Sequence, residues 1–87
     1  MTATRAHRTT LSFRYHSERR ARVVADALAP EVGEIDDARS AADVVREGDA
    51  VRVSVVADDL VALRAGVNSW SRLVRVAERV DAGAGRE

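Results

Sequence analysis

Four arginines, Arg64, Arg72, Arg75 and Arg79, recur through the last third of the chain at spacings that bring them, with Asn68, to one side of a helix. Between Arg64 and Arg79 the only acid is Glu78. A guanidinium is planar, always charged and geometrically matched to phosphate and carboxylate, so such a stripe is a candidate for the RNA backbone or for partner carboxylates. The plain alternative is a solvated helix face whose last arginines favour the negative C-terminal end. Val61, Ala65 and Val76 interrupt this polar face and, with Arg72, make a second, mixed strip of the kind that packs against a partner helix.

Other chemistry is sparse. His7 and His16 are the two histidines, there is no cysteine, and neither histidine has a second at metal-ligand spacing. Ser17 beside His16 makes no nucleophile pair on adjacency alone, because catalysis needs a positioned base and an orienting third group. The acidic segment Glu31, Glu34, Asp36 and Asp37 lacks the ligand periodicity of a calcium loop and reads as a solvated loop. The five glycines match no dinucleotide or triphosphate loop. The expectation is a non-enzyme with no cofactor and no metal.

The arginine helix has a broad apolar side. Leu60, Leu63, Val67, Trp70, Val74 and Ala77 recur every three or four residues, and Gly66, Leu73, Ala62 and Val80 widen the arc to roughly 160°, where about 100° suffices for a surface helix. A short chain has little of its own to cover that arc, so another molecule is expected to bury part of it. Upstream, Thr9 to Tyr15 alternates as a half-buried strand, and Ser17 caps a helix whose Ala21, Val24, Ala25 and Leu28 form one stripe before Pro30 ends it. Arg39 to Arg46, the Glu47-Gly48-Asp49 turn and the Val51, Val53, Val55 alternation predict a hairpin, and Asp58 is the expected cap of the last helix.

The predicted fold class is α+β: a two-layer sandwich in β-α-β-β-α order, with a three-stranded antiparallel sheet, strand three central and both helices on one face. The expected organisation is a flexible N-terminus over 1–8, a single domain over 9–81 and a disordered tail over 82–87. The open sheet face carries no stacking aromatics, which argues against an RRM-like platform, and no Gly-x-x-Gly suggests a KH clamp. Eighty-seven residues with no disulfide lie near the small end of what folds unaided, so oligomerisation is the remaining staple. Both outer strands leave bare edges unless Arg39, Asp43 or Arg46 blunts one. The net charge is zero, with fourteen basic residues, all arginine, and fourteen acidic. With no apolar run of membrane-spanning length, the expectation is a soluble, cytoplasmic protein that does not engage membranes.

The run Ala57-Asp58-Asp59-Leu60-Val61-Ala62-Leu63-Arg64-Ala65, followed by Asn68-Ser69-Trp70, resembles the signature of the small dimerising subunit of the archaeal and eukaryotic KEOPS complex, the CTAG/Pcc family. Ser17-Glu18, Leu28-Ala29-Pro30-Glu31 and Arg39-Ser40 support it, so the likeness spans Leu11 to Val80. It implies a non-catalytic homodimeric scaffold that bridges two copies of the threonylcarbamoyl-transferase subunit, and through them a kinase-like ATPase, in an assembly that makes threonylcarbamoyladenosine on tRNA. It also implies that the two helices dock the transferase and that the subunit assists tRNA binding. Partner contacts are therefore expected at Val24, Leu28, Val61, Arg64, Ala65, Asn68, Ser69, Arg72 and Val76, and RNA contacts at Arg64, Arg72, Arg75 and Arg79. A free-standing RNA-binding module using the arginine strip is the alternative.

Overall fold

A computed structural model describes residues 6–84 of the chain. The elements run β1 (His7–Arg14), α1 (Glu18–Leu28), a single 3₁₀ turn (Ala29–Glu31), β2 (Ser40–Glu47), β3 (Ala50–Ala57) and α2 (Leu60–Ala84). The sheet order is β1-β3-β2 and both pairings are antiparallel. This is the expected α+β sandwich with strand three in the middle. β3 is the strand richest in valine, and its Val51, Val53 and Val55 are buried on the helix side, where β-branched side chains pack well on a pleated surface.

Local chemistry explains the element ends. Ser17 sits in extended backbone and its hydroxyl accepts from the Arg20 amide at 3.1 Å, which satisfies one of α1's orphan donors. Pro30 cannot continue α1, and the chain tightens into the 3₁₀ turn. Gly48, at φ +59°, takes the first central position of the β2–β3 turn, where a left-handed backbone matches the twist of the strands.

Several boundaries differ from the sequence expectation. β1 begins at His7, inside the segment expected to be flexible, because His7 and Arg8 still find partners in Ala57 and Val56. β2 is shifted by one residue to Ser40–Glu47. The cap of α2 is Asp59 rather than Asp58: the Asp59 carboxylate accepts from the Ala62 amide at 2.8 Å, while the Asp58 amide donates backward to the Arg39 carbonyl at 2.9 Å. α2 continues to Ala84, into the expected tail; the rest of that tail and residues 1–5 lie outside the described residues.

The core joins Ala21, Val24 and Leu28 of α1, Val51, Val53 and Val55 of β3, and Trp70, Val74 and Ala77 of α2, with Leu11 and Phe13 packed against them. Thr10, Ser12, Arg14 and Asp43 lie on the uncovered sheet face, where Thr10 and Ser54 hydroxyls meet at 3.4 Å and Arg52 pairs with Glu47. Gly66 lets α2 approach the sheet: a Cβ there would lie 2.9 Å from Val55 Cγ1.

Candidate partner and nucleic-acid surface

The outer side of α2 carries most of the residues singled out from sequence. Arg64, Ala65, Asn68, Arg72, Arg75 and Arg79 are exposed, and Val61 (70% exposed) and Val76 (52%) stand among them. Leu60 is 60% exposed, although the periodicity places it on the apolar side; it is the first residue of the helix. Three large aliphatic side chains on one helix are thus left largely in water, each forgoing part of the roughly 1.5–3 kcal/mol that full burial supplies.

The arginines divide into two groups. Arg72 and Arg75, with Asn68 and Ser71, line a shallow polar concavity of about 260 Å³. Arg64 lies two turns away, beside Leu60, Leu63, Val67 and Thr9 around a largely apolar concavity of about 270 Å³. Glu78, the acid within the arginine stretch, is drawn aside: its Oε2 accepts from the Tyr15 hydroxyl at 2.7 Å, and the Arg20 guanidinium stands 5.8 Å from the Tyr15 ring centroid. The stripe therefore presents its guanidinium groups with that carboxylate turned toward β1. This arrangement suits phosphate or carboxylate recognition.

The remaining sequence-derived candidates fall elsewhere. Val24 (0% exposed) and Leu28 (1%) are α1 residues packed in the core with β3 and α2, so the docking face expected on α1 has no exposed part at these two positions. Their i, i+4 spacing was satisfied by the domain's own sheet and α2, which left nothing for a partner to cover. Ser69 is half-buried at a cavity of about 70 Å³ bounded by Ile35, Ser40, Val55, Gly66 and Trp70. His7 and His16 are far from forming a cluster, and no group of three metal-ligating side chains converges among the described residues. No helix among them is long and apolar enough to cross a membrane.

Sequence reasoning missed the role of the acidic segment. Asp37 accepts at one carboxylate oxygen from the amides of Arg39 (2.7 Å) and Ser40 (2.9 Å), and Asp36 accepts from the Ala42 amide at 3.1 Å. Those backbone donors hold the Asp37 carboxyl below the usual carboxylate range. Arg39 pairs with Asp59, whose carboxyl is lowered first by that hydrogen bond and then by the Ala62 amide. The available signal was local: Asp-Asp-Ala-Arg-Ser offers an Asx turn two residues before an amide that needs a partner.

Fold and surface together define a small α+β domain whose distinguishing chemistry is the mixture of arginines and exposed valines on the outer face of α2. Residues 8–80 match the family described as Transcription factor Pcc1. The chain belongs to the Pcc1 family, the family of small KEOPS subunits that its helix signature resembles. It is similar to a chain in a solved structure described as the crystal structure of the binary complex Gon7-Pcc1, with a TM-score of 0.76 and 23% identity over 94% of this chain and 98% of that one. At that identity the likeness establishes the fold. No curated protein matches the chain.

Proposed function

We propose that this chain is a non-catalytic, dimerising scaffold subunit of a KEOPS assembly, joining two threonylcarbamoyl-transferase subunits and adding phosphate contacts for tRNA. Family membership supports the assembly, and the observation that carries the scaffold role is the outer face of α2, where Leu60, Val61 and Val76 remain exposed beside Arg64, Asn68 and Arg72. Apolar anchors ringed by arginines are what a helix-packing interface needs, while the arginine concavity at Arg72 and Arg75 faces the same side and suits a shared phosphate contact.

The test separates docking from dimerisation. Arg64→Glu with Asn68→Asp should weaken binding to the purified transferase subunit by roughly tenfold or more, about 1.4 kcal/mol, and leave the sedimentation of the chain alone unchanged. Unchanged docking would move the contact away from this face. A lone monomer that binds tRNA tightly with steep salt dependence would instead favour the free-standing RNA-binding module.

A further inference from the structure

We propose that the acidic loop before β2 is an edge guard, which closes that side of the sheet to strand addition. The sheet has two outer strands of eight residues each. A sheet bare on both edges adds copies at either side without closing, so a protein that forms a limited assembly has to block one of them.

The two edges differ. In an antiparallel ladder, alternate residues turn their amides toward the neighbouring strand and away from it. On β2 the Ala42 amide is taken by Asp36 and the Ser40 amide by Asp37, so the outward set is Ser40, Ala42, Val44 and Arg46. The guard occupies the first two of these, and the Asp37 amide donates to the Ser40 carbonyl at 3.1 Å, making a one-residue bridge where a further strand would lie. It is anchored at its end: Arg39 pairs with Asp59, and its carbonyl accepts from the Asp58 amide, which ties the loop exit to the start of α2. Asp43, Arg46 and Glu47 place charge along the rest of that edge.

β1 has no such cover among the described residues. The Tyr15 amide donates to the Asp49 carbonyl at 2.9 Å, so the odd-numbered residues face β3, and Arg8, Thr10, Ser12 and Arg14 turn their backbone groups outward. No loop or side chain of the described residues hydrogen-bonds them. The guarding of β2 holds whether or not the chain bridges two transferase subunits, because it concerns only which edge is free.

Two measurements test it. In the unaltered full chain, amide exchange at Ser40 and Ala42 should be at least roughly tenfold slower than at Val44, whose amide also points outward but beyond the loop's reach; equal rates overturn the guard. Asp36→Ala with Asp37→Ala, at neutral pH, should add species larger than the parent's own oligomer on sedimentation, and Arg46→Pro in that background should remove them by deleting an outward donor of β2. A charge-matched Glu18→Ala, Asp26→Ala chain, altered only on the exposed side of α1, should sediment as the parent does. A folded Asp36→Ala, Asp37→Ala chain with the parent's size distribution overturns the proposal, as do larger species that persist with Arg46→Pro. The parent's own oligomeric state, read in the same run, reports separately on the scaffold reading.

Discussion

The two helices lie side by side on one sheet, yet one is finished and the other is not. α1 buries Ala21, Val24 and Leu28 and exposes Glu18, Arg19, Arg22 and Asp26, so its apolar stripe is matched to the surface available. α2 also supplies a core stripe, Trp70, Val74 and Ala77, but keeps Leu60, Val61 and Val76 in water. A stripe that matches its own fold speaks of stability. An apolar remainder beyond it speaks of a partner, since a monomer gains nothing from leaving large aliphatic side chains solvated.

The sharpest way to break this contrast is to alter the two sides of α2 separately. Trp70→Ala removes the largest buried side chain and should cost about 3–5 kcal/mol, enough to unfold a domain of this size in mild urea. Val61→Glu with Val76→Glu should change the urea midpoint within about 0.5 kcal/mol and abolish transferase docking. Equal losses of stability would mean that the exposed strip belongs to the fold after all.

Gly66 offers a smaller effect with a sign that can be reversed. An alanine there gains about 1 kcal/mol of helix propensity but drives a methyl to 2.9 Å from Val55 Cγ1, and overpacking of that kind costs about 1–3 kcal/mol. Gly66→Ala should therefore destabilise by about 1 kcal/mol in the parent and stabilise in a Val55→Ala background. A double-mutant cycle with no coupling would show that α2 can lift from the sheet at this point. Tyr15→Phe should cost a similar or slightly smaller amount, about 1 kcal/mol, by leaving Glu78 without its donor.

Periodicity made the β-α-β-β-α order, the central β3 and the two sheet faces legible, because alternation in Val51, Val53 and Val55 and the stripe at Ala21, Val24 and Leu28 each report burial directly. It did not distinguish burial by the chain itself from burial by a partner. Val24 and Leu28 carried the same spacing as residues expected to dock, and only the packed structure shows that Trp70 and β3 already enclose them. Leu60 illustrates the converse: its position on the wheel is apolar, yet as the first residue of α2 it stays 60% exposed. The loop at Asp36 and Asp37 was opaque for another reason. Carboxylates in a loop ordinarily face solvent, and their partners here are backbone amides that no side-chain pattern announces.

Acid provides the finest separation of the two helices, because their caps differ in chemistry. α1 is capped by the Ser17 hydroxyl, which does not titrate, and α2 by the Asp59 carboxylate, which does. In the folded chain Asp59 and Asp37 are both held below the value of 3.8 that an ordinary aspartate has. A lowered folded pKa means that the contribution to stability is complete above about pH 4, and is lost as pH falls through the folded values. The first consequence of acid should then be fraying at the start of α2 and loosening of the loop on β2, with the α1 cap intact. Amide exchange at Ala62 and Ser40 should accelerate between neutral pH and pH 3 relative to Arg20, after correction for intrinsic rates. Asp59→Asn, which still offers an acceptor oxygen but cannot titrate, should remove the acid dependence at Ala62 alone. If Arg20 and Ala62 accelerate together, acid unfolds the domain as one unit and the two caps are energetically inseparable.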